Sequence, residues 1–424
     1  VHIDLFDTGE AQGPVVDGNA YQAVLADAVF TDSQDFIYVV GATGGGIDGN
    51  NGLGLDDVFF KKLDDRHVEQ WTRIIGSNGA DRVVSSVMDS SEDIYLYIYS
   101  NGDWRSFVGD TSNPTSNKRL VAKVSRSGEL NWVVELADST GVSVTPVPNE
   151  MDNHLLASLP GGGVRVLVNS ELLDIDALGN VSSHASINLG FRTWRIAVAD
   201  DGSTVLTGEA KLSRLDSSGS ELWTADLGGQ PQILRTGHSI EFDSTGGIIV
   251  SGSSLNPSLD GGGWFLARYT LDGAQSWFNA FTMADDIGKY QDIGPNGVFI
   301  DSSDNIFVAG RMWLETFTDD PFGGDYDTVS KFDPSGTLLW YSKLWRVEGE
   351  KYMSIAVNST NNLVVVGGGS SGARIEYPNQ FECSEQEPCS RELRVARNDW
   401  ATLNIPGGSR DYYLLTLDSN GAEK

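Results

Sequence analysis

The chain has 424 residues, with 49 glycines, 11 tryptophans and a formal charge of −30 from 59 acidic against 29 basic side chains. A polyanion gains nothing from phosphate neutralisation, which argues against nucleic acid and anionic membrane surfaces as partners. No stretch approaches the roughly 20 consecutive apolar residues needed to cross a bilayer, and no charged-then-apolar leader opens at Val1, so the chain reads as mature or trimmed.

Taken in chain order, the elements repeat. VHIDLFDTG is a strand with no sequence neighbour to pair with. VFTDSQDFIYVVG (Asp32 to Gly41) then reads as strand, polar turn, strand, and FFKKLDDRHVEQW follows as a second hairpin ending on Trp71. The same pair of hairpins recurs as VMDSSEDIYLYI with LVAKVSRSGELNW (to Trp132), VPNEMDNHLLAS with ELLDIDALGNVSSH, and VADDGSTVLTG with KLSRLDSSGSELW (to Trp223). It continues as IEFDSTGGIIVSG with FLARYTLDGAQSW (to Trp277), VFIDSSDNIFVAG with TVSKFDPSGTLLW (to Trp340), and IAVNSTNNLVVVG with YYLLTLDSNGAEK. Nine residues before each tryptophan stands a base: Lys62, Lys123, Arg214, Arg268 or Lys331. Four before it stands Gly128, Gly219, Gly273 or Gly336, with His67 in the remaining copy, and Gly179 and Gly421 mark the copies that lack tryptophan. Hairpin turns need φ > 0 at such a position, which explains the glycine.

Seven units of two hairpins predict an all-β chain forming a single seven-bladed β-propeller over residues 1–424. The blades fall at about 28–75, 81–136, 141–189, 193–227, 237–281, 291–344 and 351–424, the last completed by 1–9. The seventh unit stops where its fourth strand belongs, and the N-terminal strand is spare, so joining them closes the ring. The five repeated tryptophans, Trp71, Trp132, Trp223, Trp277 and Trp340, read as packing residues between blades. The motif DVFFKKLDDRHVEQW and its alternation with D…G turn units resemble the bacterial seven-bladed β-propeller repeat, the SBBP-type family, over nearly the whole chain. That resemblance implies a secreted or surface protein and no particular reaction.

In a propeller the turns inside hairpins share one face, and the remaining connections share the other. The long connections, Ala42–Leu55, Asn101–Lys118, Ser253–Gly263, Arg311–Tyr326 and Gly368–Arg410, all fall on the second face, with 368–410 a long insertion in the last blade. Long loops on a rigid scaffold are the usual carriers of function. Trp104, Trp264, Trp313, Phe322, Tyr326, Trp345 and Trp400 in or beside them, among acids such as Asp103, suit sugar rings, whose C–H faces stack on aromatics. Ca²⁺ is the candidate cofactor, through Asp319, Asp320, Asp325 and Asp327 or through the acids of Gly46 to Asp57. Neither loop has the EF-hand spacing.

Catalytic signals are thin. Of the five histidines, His67 and His184 read as structural, and His238 with Tyr290 or Arg235 is the one constellation suited to proton abstraction from a uronic acid. Haem, nucleotide and quinone are not expected, since no CxxCH, P-loop or Rossmann pattern occurs. Cys383 and Cys389, close together in a polar loop, read as a small disulfide. That disulfide implies an oxidising compartment, extracellular or cell-surface with the periplasm as alternative. The leading expectation is a binding module for a glycan or protein on the long-loop face. A lyase-like polysaccharide-active enzyme and a structural module of a surface assembly are the alternatives.

Overall fold

A computed structural model describes residues 4–5, 24–45, 47, 50–108, 117–136, 155–227, 234–256, 261–282, 294–312, 326–345, 353–370 and 410–420. They form seven antiparallel sheets of four strands arranged as the blades of a β-propeller ring. In the first blade the strands run Val24–Thr31, Ile37–Thr43, Asp57–Leu63 and Glu69–Ile75 from the axis outward, and the second to sixth blades repeat that order. In the seventh, Met353–Val357, Leu363–Ser370 and Arg410–Leu417 are followed at the outer edge by Asp4–Leu5, with Asp4 opposite Leu414 and Leu5 opposite Tyr413. Among the described residues no helix is long and apolar enough to cross a membrane.

The repeated aspartates are backbone devices. In the turn after the first inner strand, Asp32 Oδ1 accepts the Gln34 and Phe36 amides at 3.0 and 2.9 Å. Asp301 does the same for Ser303 and Asn305, both at 2.9 Å, and Asp333 for Ser335 and Thr337 at 2.9 and 2.8 Å. A carboxylate that takes two amides replaces the turn's missing backbone partners, which is why aspartate opens these turns. Part of the chain's acidity is therefore structural.

Blades pack face to face, and the core is a series of clusters between neighbours. Tyr38, Val58 and Phe60 of the first blade meet Leu96, Leu120 and Ala122 of the second. Ala26, Val39 and Phe59 meet Ala356, Val364 and Leu414 where the first blade adjoins the seventh. At the outer edge, tryptophans of one blade bear on the third-to-fourth turn of the next. Gly128, Gly179, Gly273 and Gly336 all have φ between +81° and +88°, and a Cβ on each would press on Trp71, Trp132, Trp223 and Trp277 respectively. Glycine is required twice over here, by backbone conformation and by the indole. Trp132, Trp223 and Trp340 also donate their indole N–H to the facing turn, at Ala177 O (3.1 Å), Leu271 O (2.8 Å) and Ser419 O (3.1 Å). The base nine residues earlier ties the same corner: Arg214 bridges Asp201 and Leu271 O.

Two seams differ. The third blade has no tryptophan, and Asp174 stands where other blades carry the base. Arg165 takes over: it grips Asp174 at 2.6 and 2.8 Å and reaches Gly202 O (3.0 Å) and Thr204 Oγ1 (2.7 Å) of the fourth blade. Between the seventh and first blades, His67 at φ 63° replaces the glycine, and its Nε2 lies 2.8 Å from Thr416 Oγ1.

The third blade also corrects the sequence reading. VPNEMDNHLLAS is not its first hairpin: Leu156–Ser158 alone is the inner strand, and the hairpin closes through Pro160–Gly163 onto Val164–Val168. The turn uses Gly162 (φ +84°) and Gly163 (φ +90°) in place of the aspartate device, so a search for aspartate turns passes over it.

Two expectations follow. Gly273→Ala forces an alanine to φ +86° with its Cβ 2.8 Å from the Trp223 ring, and should cost roughly 2 kcal/mol in urea unfolding. Gly161→Ala, with nothing within 4 Å of its Cβ, should be close to neutral. Deleting residues 1–9 removes the strand paired with Tyr413 and Leu414 and should lower Tm by several degrees; an unchanged melt would make that pairing dispensable.

Candidate functional site

Each inner strand runs from the long-connection face toward a tight turn. Near its start five of the seven carry a β-bulge, between Ala26 and Ala28, Val83 and Ser85, Thr193 and Arg195, Gly237 and Ser239, and Pro295 and Gly297. The extra residues are Asp27, Val84, Trp194, His238 and Asn296. A bulge leaves its residue outside the ladder and re-aims the strand. Five blades thus place such a residue at one level, beside the channel and toward the long-connection face. His238 and Arg235 share the inner strand Leu234–Phe242, and their side chains, like all of Tyr290, lie outside the described residues.

Deeper along the same strands, Arg195 and the exposed Glu241 belong to adjacent blades. Enclosure by the ring pushes the Glu241 carboxyl up to about 7, with the Arg195 charge pulling the other way. The opposite face is spent on turns that hold one another. Ser33 N donates to Glu92 Oε1 (2.8 Å), Ser244 N and Oγ to Asp304 (2.8 and 2.6 Å), and Ser359 N and Oγ to Asp35 (both 2.8 Å), each across a blade boundary.

The expected aromatic platforms fare unevenly. Trp104 is fully buried, its indole N–H donating to Asp81 Oδ1 (3.0 Å) and Ser100 Oγ (2.7 Å), so it holds its own loop and has no face for a ligand. Phe107, tilted against it at 5.2 Å, is the ring left exposed there. Trp264 is likewise buried, edge-on to Phe332 of the sixth blade. It lies within a strand, because the ladder runs on through Asn256 opposite Gly261 and leaves only 257–260 between strands where Ser253–Gly263 was expected to be a long connection. Tyr326 and Trp345 are directly opposite one another in the sixth blade, and Asp327 pairs with Arg311, the side chains lying outside the described residues. Trp313, Phe322, Trp400, Asp319, Asp320, Asp325, Cys383 and Cys389 are also outside them. Among the described residues no three His, Cys, Asp or Glu side chains come together as a metal-holding group. In the Gly46 to Asp57 loop, Asp56 is spent on Arg82 at 2.7 Å.

Sequence reasoning missed the bulge residues. Trp194, half-buried, has the Arg192 guanidinium 4.3 Å from its ring centroid and an indole nitrogen with no acceptor among the described residues. The signal was present as one surplus residue in five of the inner strands relative to their partners. On the same face the third and fourth blades turn over within two residues, Asn169–Ser170 and Glu209–Ala210, where the first, second, sixth and seventh carry long connections.

No family model matches the chain. An uncharacterised WD repeat-containing protein of Acanthamoeba polyphaga mimivirus is 21% identical over 87% of this chain, which covers 30% of that protein's length. A streptogramin B lyase structure superposes with a TM-score of 0.46 at 10% identity, covering 86% of this chain and 94% of that one. Virginiamycin B lyase from Staphylococcus aureus gives 0.46 at 7% identity, covering 86% and 95%.

The channel charge has a measurable consequence. A glutamate held up at about 7 keeps its proton in the folded chain after the unfolded chain has lost it. Stability should therefore decline as pH rises from the ordinary carboxyl range through about 7. A carboxyl resonance titrating near neutrality, absent in Glu241→Gln, checks this; a Glu241 resonance titrating in the ordinary carboxyl range would refute it.

Proposed function

We propose that the chain is a binding module that takes a glycan or a protein at the channel mouth on its long-connection face. The supporting observation is the convergence there of the bulged inner-strand residues, with Trp194 and its stacked arginine among them, while turns of the opposite face bond one another across three blade boundaries. Aromatic surface beside a guanidinium suits a ligand with hydroxyls or carboxylates set on an apolar ring. Kinship with the SBBP-type repeat family and an extracellular or cell-surface location, with Ca²⁺ as cofactor, belong to the same proposal. They rest on the turn-and-tryptophan pattern and the acidic loops of the sequence.

A second reading, a lyase acting on acidic polysaccharide, draws on one feature: His238 is the bulge residue of a strand that also carries Arg235. A glycan array with and without chelator separates these readings when run beside an assay for unsaturated products. Binding to a defined set of glycans, weakened at least about tenfold by Trp194→Ala, supports the module. Product formation abolished by His238→Ala supports the lyase. Silence in both removes the glycan as ligand and leaves the protein partner to be sought.

A further inference from the structure

Where the first and second blades meet, the long-connection face buries two carboxylates. Asp57 opens the third strand of the first blade and Asp81 the inner strand of the second, and both are wholly out of solvent. Asp81 accepts three donors, which leave Oδ1 one lone pair: Oδ2 accepts from Ser77 N (2.5 Å) and Ser77 Oγ (2.8 Å), and Oδ1 from Trp104 Nε1 (3.0 Å). Asp57 is half used. Its Oδ2 accepts the Leu53 and Gly54 amides at 2.6 and 3.1 Å, while its buried Oδ1 has no partner among the described residues.

That oxygen and an oxygen of Asp81 lie about one point. A Cβ placed on Gly76 would collide with Asp57 Oδ1 and lie 3.1 Å from Asp81 Oδ2, so the two carboxylates border one small volume. The surrounding walls are glycine and oxygen. A Cβ on Gly52 would meet Gly45 O at 2.5 Å and Asp57 Oδ2 at 3.2 Å, and one on Gly54 would collide with Ser77 O and Gly79 O. The charges do not balance. Buried Lys118, which donates to Gly102 O at 2.7 Å, is one cation against two buried carboxylates. Arg82 and Arg105 are held at the surface by Asp56 (2.7 Å) and Asp103 (2.6 Å). An ionised oxygen buried without a positive partner is too costly to persist.

We propose that Asp57 and Asp81 hold a hard cation of the calcium type between them, its remaining ligands being water and backbone carbonyls of the adjoining connections. The ion would fasten the loop before Asp57, the 76–80 connection and the inner strand of the second blade to one another. This holds whatever the channel mouth binds, because its readout is the ion and the melt.

Terbium tests it on the full chain. Trp104, hydrogen-bonded to Asp81, is the antenna, so tryptophan excitation should give Tb³⁺ emission that Ca²⁺ displaces. Asp57→Asn should cut the emission at least about tenfold through loss of one of two charged ligands. Millimolar Ca²⁺ should raise the Tm of the unaltered protein and leave that of Asp57→Asn in place, whereas Asp103→Asn should keep both responses. Emission unchanged in Asp57→Asn, or no ion retained by the unaltered chain in equilibrium dialysis, overturns the proposal. So does an Asp57→Asn protein that melts higher than the original while neither responds to Ca²⁺, since Oδ1 then carries a proton. Should Asp57→Asn not fold, Trp104→Phe decides. Dialysis must still find the ion bound while the sensitised emission is lost; emission that survives places the ion elsewhere.

Discussion

The ring depends on covering the flat face that each four-stranded sheet presents to its neighbour. The recurring solution is an indole from one blade laid on a left-handed glycine of the next, as with Trp223 on Gly273. Any side chain at that glycine would lift the indole away and reopen the seam. The aspartate that ties each turn and the base nine residues before the tryptophan serve the same joint, one shaping the turn and the other bracing it. These residues recur because one contact recurs.

That use of residues gives the ring its polarity. On the tight-turn face, serines and acids of neighbouring turns hold one another across three blade boundaries, as in Ser244 with Asp304. The opposite face keeps the bulged inner strands and the long connections. Even there, not every conspicuous aromatic is available. Trp104 and Trp264 are committed to the interior, whereas among the described residues Phe107 is exposed and Trp194 partly so.

The architecture was legible because each blade repeats one physical problem and solves it with the same residue types at the same spacing. Legibility failed where the solution changed. The third blade, with a glycine turn for an aspartate turn and Arg165 for tryptophan, was misplaced by its pattern. The fifth blade's glycine run was read as a loop although its ladder continues through Gly261–Gly263. The site was harder still. A bulge shows in sequence only as one residue too many, and the burial of Trp104 depends on Asp81 and Ser100, which adjoin it only after folding.

Arg165 has one more implication. Dispersion contacts between an indole and a turn resist separation but give way to small sliding. A guanidinium that holds a carboxylate on one side and Gly202 O with Thr204 Oγ1 on the other fixes direction as well as distance. The joint between the third and fourth blades is thus held by an ion pair and two further hydrogen bonds, where three of the tryptophan joints add an indole N–H bond to the stacked contact. The other joint without tryptophan, His67 against Thr416, lies across the ring from it. The two joints without tryptophan thus divide the ring into an arc of three blades and an arc of four, each arc built on the indole contact and joined to the other through polar groups.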